Sequence, residues 1–377
     1  MSPQLTYSQQ TLLSTEEKTR EILRTLPPAC GDFILAIEST TQPLTRYAYA
    51  LDLRVFFRYL VSEVPLFAGK TENNFSDADW EEVTSENLVA YLNYLNLYYK
   101  EDDSFLTNAN LGKMRKMAAV RSFFKYLFKN KRISRDESAL VDMPKRHQKP
   151  IIRLEIDEVA KLLDAAESGE QLSERQKKYA ERTRLRDVTI LYLFLGTGMR
   201  VSELVGLDLQ HIDLNINGLL VTRKGGNQAI LYFPDEVADV LRAYLPYRRN
   251  LQAMPGHENA LFLSLQKKRI SVDAIENMVK KYARIAAPLK RKISPHKLRA
   301  TFGTNLYHET GDIYLVADVL GHADVNTTRR HYADMSDDRR RMAARSVVLR
   351  EPSVVAIDKN TGKLLKADAP HPAEDEE

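Results

Sequence analysis

Over about the first 145 residues, apolar side chains recur at helical spacing rather than in alternation. From 44 to 61, Leu44, Ala48, Leu51, Val55 and Tyr59 share one face, which predicts a helix with Arg46, Arg54 and Arg58 on another. A second such run, 108–129, turns Leu111, Met114, Ala118 and Phe124 inward and leaves Lys113, Lys116, Arg121, Lys125 and Lys129 outside. Ser14 with Glu17 reads as a capping box ahead of a polar helix that stops before Pro27 and Pro28. A further helix is predicted over 85–99, after a polar insert within 64–84 that has no evident role. Trp80, the only tryptophan, is expected to anchor a core.

Between Val141 and Arg153 the periodicity breaks at Asp-Met-Pro-Lys-Arg-His-Gln-Lys-Pro, an extended basic linker that could also lie along a polyanion. Helical spacing then resumes over 188–195, from Val201, and over 235–247, 271–286, 295–309, 312–320 and 327–334. The exception is three short strand-like runs, 212–214, 219–222 and 229–233, separated by Asn-Ile-Asn-Gly and Lys-Gly-Gly-Asn. Such turns join antiparallel neighbours, so a small three-stranded sheet is expected at the edge of a helical domain. The class predicted is mainly α with a small antiparallel sheet (α+β). The divisions are a helical domain over 1–143, a linker over 144–154, a second domain over 155–350 and a flexible tail over 351–377.

Charge changes the picture only through its distribution. The formal total is +4, but residues 351–377 carry −4, leaving +8 on residues 1–350. A basic body suits a polyanion, and lysine and arginine on helix faces supply non-specific affinity for nucleic acid; the plain alternative is a solvated surface. Arg46, Arg54, Arg58, Lys113, Lys116, Arg121, Lys125, Lys145 and Arg146 are the candidate contacts. One cysteine, Cys30, rules out an internal disulfide and fits a reducing cytoplasm, with a small buried side chain the expected role. No apolar run reaches the roughly 18 residues of a membrane span, and no secretion signal is expected.

The candidate chemistry lies in the second half: Arg200, Lys224, His296, Arg299, His322 and Tyr332. Phosphorus under attack gathers negative charge on its oxygens, which fixed cations stabilise, and a tyrosine can store the broken bond as a covalent ester. No acidic metal cage accompanies them. Arg200 follows the helix break Gly196-Thr197-Gly198, and Glu203 one turn on could balance its charge at a helix start. Lys224 stands at a hairpin tip beside two glycines. Ser294 and Pro295 open a helix that sets His296 and Arg299 on one face, at an end suited to anions. His322 follows the helix-closing Gly321, and His322 with His331 lacks the cysteine or carboxylate company of a metal site.

Taken in order, Gly-Thr-Gly-Met-Arg-Val-Ser-Glu-Leu (196–204), Arg-Lys-Gly-Gly (223–226), His-Lys-Leu-Arg (296–299), Leu-Gly-His (320–322) and Tyr332 resemble the tyrosine recombinase, or phage integrase, family. The likeness covers nearly the whole chain and is greatest to bacterial Xer-type recombinases that work as a single protein. It implies a SAM-like helical core-binding domain and a catalytic domain acting on double-stranded DNA. It further implies a homo-tetramer on two sites, strand exchange through a Holliday junction, and no cofactor or metal. By resemblance Arg200 and Arg299 would bind the scissile phosphate, His296 would take or share the tyrosine proton and His322 would hydrogen-bond a phosphate oxygen. Lys224 would protonate the leaving 5′ oxygen, Tyr332 would form a 3′-phosphotyrosyl link, and Glu203 would support Arg200. The His322 to Tyr332 interval is one residue longer than in many relatives, so His331 falls where their nucleophile aligns; histidine could not give that link, and Tyr332 is retained. Met342 to Leu349 would dock on a neighbouring protomer. The role implied is chromosome dimer resolution or movement of a mobile element, in the bacterial cytoplasm. The rivals are DNA relaxation like that of a type IB topoisomerase, a non-catalytic DNA-binding protein on the same scaffold, and a metal-dependent nuclease.

Overall fold

The computed structural model describes residues 5–99, 104–145, 152–223, 226–290, 292–322, 324–326 and 328, with the backbone of 355–357 and 364–366. In the first part lie α1 (Tyr7–Leu23), α2 (Pro28–Ala36), α3 (Pro43–Glu63), α4 (Asp77–Glu81), α5 (Ser85–Tyr94) and α6 (Asn110–Lys129). A two-residue hairpin, β1 (Tyr98–Tyr99) with β2 (Phe105–Leu106), joins the last two helices. Prolines open α2 and α3, where the missing N–H costs nothing. The capping box of α1 is Thr6 with Gln9, so the helix starts two turns before the Ser14–Glu17 pair that the sequence pointed to.

These helices close on an aromatic core in which Phe33, Phe56, Phe57, Tyr91, Phe123 and Phe124 are buried. Residues 64–84, read from sequence as a polar insert without a role, supply part of it. Phe67, Phe75, Trp80 and Val83 are buried, and Trp80 stacks on Phe75 at 5.2 Å and meets Phe57 edge-on at 5.3 Å. The inward faces of α3 and α6 also differ from the predicted ones. Leu44 and Leu111 are exposed, whereas Leu53, Phe56, Phe57, Leu60, Met117, Val120, Phe123 and Leu127 are buried. The cause is that α3 packs against α1 and α6 together, so a wide arc is covered and a single apolar stripe misplaces the centre of the buried face.

The second part comprises α7 (Ile156–Ser168), α8 (Glu174–Thr197), α9 (Val201–Val205), α10 (Asp235–Arg249), α11 (Val272–Ala286), α12 (Pro295–Thr310) and α13 (Ile313–Leu320). The middle of α8 is apolar on every side, with Ile190, Leu191, Leu193 and Phe194 wholly buried, because α7, α10 and α12 surround it. Between α9 and α10 runs the antiparallel sheet β3 (Ile212–Asp213), β4 (Gly218–Thr222) and β5 (Gln228–Tyr232), in that order. Leu219 pairs with Leu231 and both face the core, leaving Ile230 and Tyr232 outward. The fold is thus mainly helical with small antiparallel sheets, as the periodicities predict.

Contacts tie down the ends of the segment read as a linker. Asn110 donates to the Lys145 carbonyl at 3.0 Å, and the Leu154 N–H donates to Thr301 Oγ1 at 3.0 Å. The first turn of α1 reaches the second part, where the Arg269 guanidinium lies over the Tyr7 ring at 4.9 Å. Residues 355–357 (β6) and 364–366 (β7) pair antiparallel, in a stretch expected from sequence to be a flexible tail. The missed signal is Val-Ala-Ile and Leu-Leu-Lys on either side of Asn360-Thr361-Gly362. No described helix is long and apolar enough to cross a membrane.

Candidate active site

The site is assembled around the end of one short helix. At the C-terminus of α8, Gly198 takes φ +63°, and a Cβ there would overlap the Phe302 ring, so only glycine turns the chain this closely. Two residues on, Arg200 caps α9. Its backbone N–H donates to Glu203 Oε2 and its Nη1 to Glu203 Oε1, both at 2.7 Å, while Glu203 is buried. A cation at a helix start is thus balanced by a carboxylate inside the same turn. Nη2 of Arg200 donates to the Gly321 carbonyl at 2.9 Å.

Arg299 arrives from the N-terminal part of α12 and is buried. Its Nη1 donates to the Gly198 carbonyl at 2.7 Å and its Nη2 to the Leu320 carbonyl. From the end of β4 comes a third guanidinium, Arg223, donating to the Val319 carbonyl at 3.1 Å and the Asp318 carbonyl at 3.4 Å. Three arginines from three elements therefore meet at the C-terminal turn of α13. Helix ends leave carbonyls without intrahelical partners and carry partial negative charge, so they fix cations well. Gly321, at φ +61°, ends the helix, and His322 follows with its N–H on the Ala317 carbonyl at 2.9 Å. His322 Nδ1 lies 2.7 Å from Thr328 Oγ1.

The structure thus brings Arg200, Glu203, Arg299 and His322 to the turn at 320–322. His296 sits exposed near the start of α12, one turn before Arg299. Lys224 and Tyr332 lie outside the described residues, as do His331 and Arg146. Arg200, 32% exposed, keeps a solvent-facing edge while two of its side-chain donors are held by protein oxygens. A guanidinium held this way presents its other N–H groups to an anion with little rotamer entropy left to lose. Arg223 was missed as a site residue by the sequence reading; its one signal is adjacency to Lys224, faint among 55 lysines and arginines.

The cations chosen as DNA contacts divide sharply. Arg46 is buried, paired with Glu16, and donates to the carbonyls of Thr41 at 2.8 Å and Glu38 at 3.2 Å. Lys116 is buried 3.6 Å from Asp52, and Arg121 is turned onto the carbonyls of Ser138 and Val141. The side-chain donors of these three are engaged inside the fold. Arg58 pairs with Glu72 at 3.2 Å, Arg54 is half-buried, Lys113 reaches Asn96, and Lys125 and Lys145 are exposed. Burial pushes the Cys30 thiol well above its usual range. Among the described residues no group of three or more His, Cys, Asp or Glu is placed to hold a metal ion.

The profile of the Phage integrase family matches residues 153–339. The tyrosine recombinase XerC of Caldanaerobacter subterraneus subsp. tengcongensis is 32% identical over 328 residues, covering 84% of this chain and 86% of that protein. That of Chlorobaculum tepidum is 31% identical, covering 79% and 88% respectively. Among solved structures, a XerH site-specific recombinase bound to its difH substrate superposes with a TM-score of 0.57 at 21% identity, covering 81% of this chain and 79% of that one. The Tn1549 transposon integrase in complex with transposon right-end DNA gives 0.59 at 17%, covering 85% and 99%. The chain belongs to the tyrosine recombinase (phage integrase) family. It is an enzyme of site-specific recombination that cuts and rejoins DNA.

Proposed function

We propose that Tyr332 attacks a DNA phosphate held by Arg200 and Arg299. The tyrosyl oxygen bonds to phosphorus, the bond from phosphorus to the 5′ oxygen breaks, and the product is a 3′-phosphotyrosyl link with a free 5′ hydroxyl. His296 takes the phenol proton, Lys224 gives one to the leaving oxygen, and His322 donates to a phosphate oxygen. A phenol has a reference pKa near 10, so its attack at neutral pH needs such a base and nearby cations. Each step replaces one phosphodiester with another of similar energy, so the cycle needs no ATP. The observation that carries this is the meeting of Arg200 and Arg299, about a hundred residues apart in the chain, at one helix terminus beside His322.

In this reading residues 1–143 bind the core of the DNA site, residues 155–350 carry the chemistry, and four protomers join two sites through a Holliday junction. The enzyme works on cytoplasmic DNA. Its role is chromosome dimer resolution or movement of a mobile element, and mapping the bound and cleaved sequence in genomic DNA separates these. Tyr332→Phe should abolish covalent protein–DNA adducts while DNA affinity stays close to that of the native chain. Persistent adducts would sink the assignment. Two marked sites on separate molecules should recombine, whereas relaxation without recombination would point to a topoisomerase.

A further inference from the structure

We infer that Thr328 is a positioning residue that sets the ring of His322, holding Nδ1 so that Nε2 keeps a hydrogen for the scissile phosphate. This rests on the reading of His322 as a donor to a phosphate oxygen. The backbone of His322 is already fixed. Gly321 turns left-handed at φ +61°, its N–H donates to the Asp318 carbonyl at 2.8 Å, and the His322 N–H reaches back to the Ala317 carbonyl at 2.9 Å. The Gly321 carbonyl takes a donor from Arg200 at 2.9 Å. The backbone leaves open the two side-chain torsions that aim the imidazole, and Thr328 closes that freedom: its Oγ1 lies 2.7 Å from Nδ1.

Two features make this contact specific. Thr328 is wholly buried on helical backbone, and its β-branched side chain is restricted about the first torsion, so the hydroxyl is a fixed point. The turn that leads to it is set locally, where the Asn326 N–H donates to Asp324 Oδ1 at 2.9 Å. The second feature is that a hydroxyl both donates and accepts. It gives its proton to Nδ1 of the neutral ring and accepts from Nδ1–H of the charged ring, and in both states Nε2 keeps its hydrogen. The remaining state, neutral with the hydrogen on Nδ1, would set a lone pair of Nε2 against an anionic oxygen, which phosphate binding disfavours. A carbonyl in the place of the hydroxyl would demand Nδ1–H and strip Nε2 of its hydrogen in the neutral ring. Threonine therefore holds one ring orientation, with one outward donor, whichever charge the ring carries.

The test uses the full chain and a DNA site that traps the cleaved complex, made also with methyl in place of one or the other non-bridging oxygen of the scissile phosphate. Thr328→Val, which removes the hydroxyl and keeps the shape, should slow cleavage by about tenfold, and Thr328→Ser should return it to within about twofold of the native chain. DNA affinity should change by less than about twofold. His322→Ala should be slower still, by about a hundredfold, and adding Thr328→Val to it should slow it no further, because the threonine acts only through the histidine. On the methyl form that lacks the oxygen held by His322, both single variants should match the native chain on that same site. A Thr328→Val defect that adds in full to that of His322→Ala, that Thr328→Ser does not restore, or that persists on the methyl form erasing the His322→Ala defect disproves the positioning. Native cleavage by Thr328→Val beside a slow His322→Ala removes this inference alone, whereas native cleavage by His322→Ala removes the phosphate reading of His322 and this inference with it. Should Thr328→Val fail to fold, Thr328→Ala and Thr328→Ser carry the same comparison.

Discussion

The two parts of the molecule use arginine and lysine in opposite ways. In the first, Arg46, Lys116 and Arg121 are consumed by the fold: each meets a carboxylate or carbonyl across a helix junction, and the surface lost a cation for each. In the second, Arg200, Arg223 and Arg299 also bond to protein oxygens, but each sends at least one N–H to the carbonyls of one and the same helix end. Scattered pairing closes a fold; convergent pairing builds a place where anionic charge can be stabilised. The same residue types at similar burial therefore mean different things according to whether their acceptors are dispersed or shared.

The widest separation between the two uses should come from Arg299. Arg299→Ala is expected to lower the cleavage rate by about a hundredfold to a thousandfold, the range for losing a donor to a developing anionic charge. Trapped covalent complex, read over time, measures it; loss confined to thermal stability with cleavage intact would remove Arg299 from the site. Next comes the aromatic core. Trp80→Ala should destabilise the protein by about 3–5 kcal/mol in urea titrations, because it leaves a large void among Phe57, Phe75 and Phe123. Trp80→Phe should cost clearly less, since the indole N–H has no hydrogen-bond partner to lose.

The buried charges around Asp52 predict a smaller and pH-dependent effect. Burial raises the Asp52 pKa above the usual carboxylate value, outweighing Arg115 and Lys116, and burial likewise lowers that of Lys116. For Asp52 the sign is that its stabilising contribution is complete below the ordinary carboxylate pKa and is lost as pH rises through the elevated folded value. For Lys116 the contribution is complete above the ordinary lysine pKa and is lost as pH falls through the depressed one. Asp52→Asn leaves Lys116 without its buried partner and should destabilise by a few kcal/mol, whereas Asp52→Leu with Lys116→Met should be near neutral. Equal losses in the single and double variants would contradict this account.

How far these contrasts were legible in the sequence follows from the range of the interactions. Local geometry was legible: Arg200 with Glu203 three residues on, Gly198 and Gly321 as helix ends, and the Asn-Gly and Gly-Gly turns between strands all act within a few residues. The faces of α3 and α6 were not, because a helix with neighbours on two sides hides polar and apolar positions alike. Lys116 is the plain case: its spacing puts it opposite Met114 and Ala118, and only the presence of Asp52, 64 positions earlier, draws it inside. Arg223 was illegible for the same reason. Its acceptors lie almost a hundred residues away in the chain, and no local pattern announces them.

The smallest effect is expected where a cation has stayed on the surface, and it offers the finest probe of the contrast. Lys125 is on α6, one turn after Arg121, yet it is exposed while Arg121 is turned to the carbonyls of Ser138 and Val141. If Lys125 meets a DNA phosphate, Lys125→Ala should leave thermal stability unchanged. It should weaken binding alike on specific and unrelated DNA, and reduce the slope of log affinity against log salt by about 0.9. Arg121→Ala should instead lower stability and leave that slope nearly as it was, because its donors hold a turn of protein and release no counterion on binding. Fluorescence titrations at four or more salt concentrations, paired with melting curves, read both. A reduced salt slope for Arg121→Ala with native stability would place Arg121 against a phosphate and would return α6 as a whole to the DNA-facing surface.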